Sequence, residues 1–285
     1  MPRCPSRYYP AALPFLLAQA SCTSLSAVDV TYEPCVAVKA NHYVERFDGT
    51  YQDLLDRCWE TDPAPAGTKV FTGDGDLIVR PVRGATWSAT TQGTMLFRRM
   101  KGDFLVASRV EAASTVQSDH CVVEGEAAGL AVRRGPSAWS TLLVRPYFDP
   151  TIPMAAACKD EAAHPPTARL SVTTLGFGAA APKDVPNVGL DAEAYVAVCR
   201  QGDQLAYYYR VESKKPEERV WTLFHKHIVA TGPIDVGITT TASPVGGIDS
   251  GMEGHFPWVV FEDHSDPVPD GCDGALERLV EPEEG

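Results

Sequence analysis

The sequence predicts an all-β protein built as a two-sheet antiparallel β-sandwich, and three observations predict it. The first is alternation. In "MKGDFLVASRVEA" (100–112), Phe104, Val106, Ser108 and Val110 point one way, while Leu105, Ala107, Arg109 and Glu111 point the other. A period of two is the mark of a half-buried strand. The second is punctuation: 23 Gly and 23 Pro, with few helical patterns, break the chain into many short strands. The third is that strand-like runs recur at short spacing, with turn residues between them and no fixed-period repeat, which is the pattern of a sandwich.

The elements follow in chain order. Arg3 and Arg7 precede the short apolar run "AALPFLLAQA" (11–20), so residues 1–22 read as an export signal, too short to span a bilayer. Cleavage after Ala20 would leave Ser21 first. Alternatively, Ala20-Ser21-Cys22 is lipobox-like and would make Cys22 a lipidated first residue, although Gln19 stands where Leu is usual. Residues 23–44 read as a linker or N-terminal strand, 45–264 as the sandwich domain and 265–285 as an acidic tail. Within the domain, 41–63 suggests a helical turn and a strand, and Gly73–Asp76 a tight turn before strand 77–79. Strands 94–100 and 103–112 are expected to pair across Lys101-Gly102. A second hairpin joins 127–135 to 138–146, and a third joins 195–200 to 204–211 across Gln201-Gly202-Asp203. "RVWTLF", "PIDVGITT" and "HFPWVVFEDH" complete the set. The Pro-rich tail reads as a solvated appendage with one helical turn at Gly274–Val280, tied down only if Cys272 is bridged to the body.

The runs "GDLIVRP", "LFRRMKGDFLVASRV", "AAGLAVR", "AYVAVCRQGDQLAYYYRV", "VWTLF" and "IDVGI", in that order, resemble the concanavalin A-like lectin/glucanase superfamily, in particular its bacterial extracellular jelly-roll branch. The resemblance covers roughly Phe47 to Phe261. Relatives often carry Ser-x-Asp-Gly-x-x-Trp before the Trp strand; here "VESKKPEERVW" is longer and charged. The resemblance implies a jelly roll that faces carbohydrate or another cell-surface polymer. It implies no reaction, because fold alone does not give function. Calcium, common in lectin-like sandwiches, is also implied, and Asp74 and Asp76 of the Gly-Asp-Gly-Asp turn offer the carboxylates such a hard cation takes, though the same residues are ordinary turn formers.

The residues themselves narrow the function. A formal net charge of −12 repels phosphate backbones and argues against nucleic acid. Hydrolytic members of the superfamily carry Glu-x-Asp-x-Glu on one strand, where both carboxyls can flank a glycosidic bond. No strand here has it, and Glu124 with Glu126 lacks a third acid. No G-x-S-x-G, P-loop or H-E-x-x-H occurs. His225 and His227 lie on one face of a strand, where two His could hold a metal or simply alternate. The eight cysteines contain no C-x-x-C. With Cys4 and Cys22 set aside, six remain, enough for three disulfides in an oxidising compartment. Cys58 and Cys199, in apolar surroundings, best fit buried free thiols.

Tyr207 and Tyr209, with Arg200 or Arg210, are the expected floor of a shallow ligand groove. Sugar rings lie on flat aromatic faces while guanidinium groups bond hydroxyls. Trp87, Trp139, Trp221 and Trp258 are expected core plugs. The reading is a secreted or lipid-anchored, non-catalytic sandwich of the cell envelope that touches a membrane only through a lipid on Cys22. The alternatives are a glycoside hydrolase or lyase of the same fold, and a structural envelope protein.

Overall fold

The computed structural model describes residues 42–62, 68–73, 75–82, 84–88, 93–114, 126–147, 167–177, 183–190, 193–211, 219–242, 252–264 and 270–279. The expected signal, Cys22, Asp74 and Glu124 lie outside them. Strands are numbered in chain order. One sheet has nine: β1 (Tyr43–Glu45), β3 (Lys69–Gly73), β4 (Asp76–Arg80), β6 (Asp103–Ser114), β11 (Glu193–Gln201), β12 (Gln204–Arg210), β13 (Thr222–Ile228), β15 (Met252–Phe256) and β16 (Val259–His264). The other has seven: β2 (Glu60–Thr61), β5 (Thr94–Met100), β7 (Ala127–Gly135), β8 (Ala138–Tyr147), β9 (Thr167–Leu175), β10 (Lys183–Leu190) and β14 (Ile234–Thr241). The pairings within both sheets are antiparallel. The sheets stack into the sandwich that the alternation predicts.

Between them lies the core. On β6, Phe104, Val106 and Val110 point inward and are fully buried, together with Leu130 and Val132 of β7. The sheets approach closely at Gly254 of β15, where a Cβ would stand 2.6 Å from Thr240 Cγ2 and 2.8 Å from Ala128 Cβ across the interface. Only a residue without a side chain fits there.

Hairpins form at Gly73–Asp76, Gly135–Ala138 and Gln201–Gln204. The expected hairpin across Lys101-Gly102 does not form. Gly102, at φ +90°, turns the chain out of one sheet and into the other. β5 pairs with β2 and β14, and β6 with β11, β15 and β16. A turn signal says that the chain reverses, not that its flanks share hydrogen bonds. Facing each other across the core lets Leu96, Met100, Phe104 and Val106 join one apolar cluster. "HFPWVVFEDH" also divides: β15 and β16 part at Pro257, which cannot donate to a ladder, and both pair with β6.

The tail is not wholly solvated. Gly271–Arg278 forms helix α2, the second of two helices after α1 (Tyr51–Asp56) among the described residues. Cys272, Ala275 and Leu276 of α2 are buried against the outer surface of the nine-stranded sheet, and Cys272 is disulfide-bonded to Cys199 of β11, 73 residues away. Cys58 is disulfide-bonded as well. Neither is the free thiol that apolar surroundings suggest, because a buried cystine is as apolar as a buried thiol and burial does not tell them apart.

Candidate functional site

The outer face of the nine-stranded sheet changes character along β6. Leu105 and Ala107 lie in the apolar cluster under α2. Arg109 and Glu111, two and four residues on from Ala107, share that face and carry charge. There the register sets up a row. Phe71 of β3 pairs with Ile78 of β4, Ile78 with His255 of β15, His255 with Glu111, and Glu111 with Glu193 of β11. At roughly 4.8 Å per strand the row runs about 19 Å across the sheet. Phe71 is 36 % exposed, and the others are half-buried.

Ion pairs hold the polar members in place. His255 Nδ1 lies 3.5 Å from Asp76 Oδ2, and its Nε2 lies 3.4 Å from Glu253 Oε2. Glu253 also pairs with Arg80. Arg109 donates to both oxygens of Glu193, at 2.6 and 3.1 Å. Burial pushes the Glu111 carboxyl above the ordinary carboxylate range; His255 pulls it back, and Glu193 directly opposite adds to the rise. A second row lies beside the first: Arg109 pairs with Tyr195, and Tyr195 with Arg210 of β12. The Arg210 guanidinium sits 4.0 Å from the Tyr195 ring centre and 5.4 Å from that of Trp221. This is cation–π geometry. Trp258 also packs against Tyr195, with ring centres 6.1 Å apart.

The expected groove of Tyr207, Tyr209, Arg200 and Arg210 is not one surface. Tyr207 faces the opposite sheet and is fully buried, which pushes its hydroxyl pKa up. Tyr209 also points inward and packs edge-on to Phe224, with ring centres 6.0 Å apart. Arg200 pairs with Leu205, so it shares their side, and it donates to the carbonyls of Gly202 and Gly232 at 3.0 and 2.7 Å, joining two turns. Arg210, one residue from Tyr209, points outward. The reason is parity: 207 and 209 share a face that 210 cannot share. Trp87, Trp139 and Trp258 are buried, but in clusters on the outer faces of the sheets rather than as plugs of the core between them, and Trp221 is half-buried.

Of the two calcium candidates only Asp76 is described, and it faces His255. Among the described residues, no group of three His, Cys, Asp or Glu is arranged to hold a metal ion. Sequence reasoning missed Phe71, His255, Glu111 and Glu193 because each comes from a different strand. The usable signal was the polar half of the outward face of β6.

A separate cavity of 420 Å³ lies at the β3 edge, lined by Tyr51, Asp62, Thr68, Lys69, Val70 and Leu96 among others. On the outer face of the seven-stranded sheet, Trp87 and Trp139 pack 5.2 Å apart, and Asp235 meets Arg99 at 2.8 Å and Arg133 at 3.4 Å. These aromatics are almost wholly buried and the charges satisfy one another, which is the signature of packing.

No family model matches the sequence, and no curated protein is similar to it. Solved structures are. A mutant of the GH43 protein BlXynB from Bacillus licheniformis is 12 % identical, over 77 % of this chain and 39 % of that one, with a TM-score of 0.50. This chain thus spans about two-fifths of that protein's length. LamAcat from Zobellia galactanivorans is 9 % identical over 78 % of this chain and 96 % of that one (TM-score 0.40). The Ca2+/Man3GlcNAc-bound exoplasmic/lumenal domain of VIP36 is 10 % identical over 79 % and 90 % (TM-score 0.42). At such identities a likeness concerns the fold alone. What the two stacked antiparallel sheets show is the fold: this chain is a β-sandwich.

Proposed function

We propose that this protein binds carbohydrate or another hydroxylated surface polymer, without turning it over, on the outer face of its nine-stranded sheet. The observation that carries the reading is the row from Phe71 to Glu193. An exposed aromatic ring stands at one end, and fixed carboxylates, an imidazole and a guanidinium follow. The C–H face of a sugar can lie on Phe71, while its hydroxyls donate to Asp76 or Glu111 and accept from Arg109. The row crosses five strands, which suits an extended chain better than a small molecule. Affinity is weak, because each hydroxyl must leave water to bind. Arg210, held between Tyr195 and Trp221, extends the same face.

One observation favours hydrolysis instead. Glu111, whose carboxyl burial pushes above the ordinary range, stands directly opposite Glu193, and glycosidases set two carboxyls about one glycosidic bond. The binding reading is preferred because Arg109 occupies both Glu193 oxygens. A panel of immobilised polysaccharides tests both. Phe71→Ala should lower retention about tenfold or more, with only a small change in melting temperature, because the ring is 36 % exposed. Unaltered retention by Phe71→Ala sinks the site. Release of reducing ends that disappears in Glu111→Gln replaces binding with hydrolysis.

The same reading puts the chain outside the cytoplasm. The Cys199–Cys272 disulfide supports an oxidising compartment. No helix among the described residues is long and apolar enough to cross a membrane. Mass spectrometry of the cell-made protein is expected to show the first 20 or 21 residues removed. A diacylglyceryl mass on Cys22 selects the anchored form and a free Ser21 terminus plain secretion, whereas an intact Met1 rules out both.

A further inference from the structure

β13 is an edge strand, and its pairing with β12 contains a register shift. Tyr207 faces His225 and Tyr208 faces Leu223, leaving Phe224 as the extra residue. After the shift, His225 and His227 lie on the same face as Tyr207, turned toward the space between the sheets. The His227 ring stacks on Phe177 (5.8 Å, 22°) and on Tyr207 (5.3 Å, 28°). Ring faces satisfy no nitrogen. Both His227 nitrogens are buried, and neither has a hydrogen-bond partner among the described residues. Buried polar atoms are almost always partnered, and one that is not calls for an ion, a water or a catalytic role.

We infer that His225 and His227 bind one divalent transition-metal ion between the sheets at the β13 edge. Two imidazoles on a tetrahedral ion, with metal–nitrogen bonds of about 2.0–2.1 Å, hold their ring centres roughly 5 Å apart. Here the centres are 5.6 Å apart and the planes tilt by 45°. A shared ion would therefore draw the two ring centres only about half an ångström closer. Imidazole selects zinc, copper or nickel, whereas calcium and magnesium require oxygen ligands. With two protein ligands, water fills the remaining positions and the ion exchanges readily. The pair sits on the inward face, separate from the polymer platform.

The test uses the full chain stripped of metal by a chelator, near neutral pH. An equimolar addition of Cu2+ should give an electron paramagnetic resonance spectrum split by two imidazole nitrogens. Zn2+ titrated in a calorimeter should bind at a single site. Each of His225→Gln and His227→Gln should weaken Zn2+ by at least about tenfold, since losing a direct ligand costs no less than losing a residue that merely orients one. His42→Gln, at the distant β1–β16 edge, should bind as the parent does. Should His227→Gln not fold, the half-buried His225→Gln decides alone. A parent protein that takes up no Cu2+ or Zn2+, or a folded His225→Gln that binds as tightly as the parent, overturns the inference.

Discussion

Replacing Phe104 with Ala is expected to destabilise the protein by about 3–5 kcal/mol, the cost of emptying a buried aromatic site. The ring is fully buried at the start of the inward face of β6. β6 is the backbone hub of its sheet: it pairs with β11 along one edge and with β15 and β16 along the other. Phe104 itself lies opposite Arg200 on one side and Asp263 on the other. With strands fixed on both sides, the backbone cannot sink to close the void, so the cost belongs toward the upper end. Phe104→Leu keeps most of the volume and should cost clearly less. Urea unfolding followed by tryptophan fluorescence measures both. A loss below about 1 kcal/mol for Phe104→Ala would mean that the site collapses freely and that the ring is not the anchor described.

Glu45→Ala is expected to cost a similar amount, about 3–5 kcal/mol, for a different reason. The Glu45 side chain is fully buried and collects four donors. The Phe47 amide reaches it at 3.1 Å, Arg57 Nη1 at 2.7 Å and Trp59 Nε1 at 3.4 Å, and the Tyr43 hydroxyl donates to it as well. The carboxylate thus fastens β1 and the residues around α1 to one another. Removing it leaves the Trp59 and Phe47 N–H groups buried without an acceptor, and an unmade buried hydrogen bond costs more than a made one contributes. Burial and the Glu45 carboxylate also push the Tyr43 hydroxyl up to about 12. In Glu45→Ala the Tyr43 titration should therefore move down toward its ordinary value. Glu45→Gln, which keeps an acceptor oxygen, should recover part of the stability. Thermal unfolding gives the ranking, and an alanine variant as stable as the parent would remove the network from any account of the fold.

How much of this was readable in one dimension differs from strand to strand. The inward set of β6 was legible because alternation is local: a residue's face follows from its parity, and Phe104, Val106 and Val110 needed no partner to be placed. The hairpins at Gly135 and Gly202 and the turn at Gly75 were legible for the same reason, since turn chemistry acts over a few residues, although the strand that precedes Gly75 was not read. The Lys101-Gly102 turn looked alike and did something else. Whether two strands pair side by side or face each other across the core depends on which other strands compete for their edges. For β6 those competitors are β11, β15 and β16, which lie far along the chain.

The candidate platform lay beyond reach for a stronger version of that reason. Glu111 and Glu193 stand opposite each other, and His255 stands opposite Glu111, only because of register between strands distant in sequence. Sliding one strand by a single residue would send its charges to the other face. Tyr207, Tyr209 and Arg210 make the converse point. Their parity alone shows that 210 opposes 207 and 209, but which of the two faces is interior was not in the sequence, because both are apolar on β11 and β12. One face packs against the seven-stranded sheet and the other carries Tyr208 and Cys199 beneath α2. Fold class, most strand positions and the sidedness of each strand are thus written in the linear chain, because they rest on interactions between sequence neighbours. Which sides are covered and which charges meet emerge only on folding, because burial and register are set jointly by segments the chain brings together from far apart.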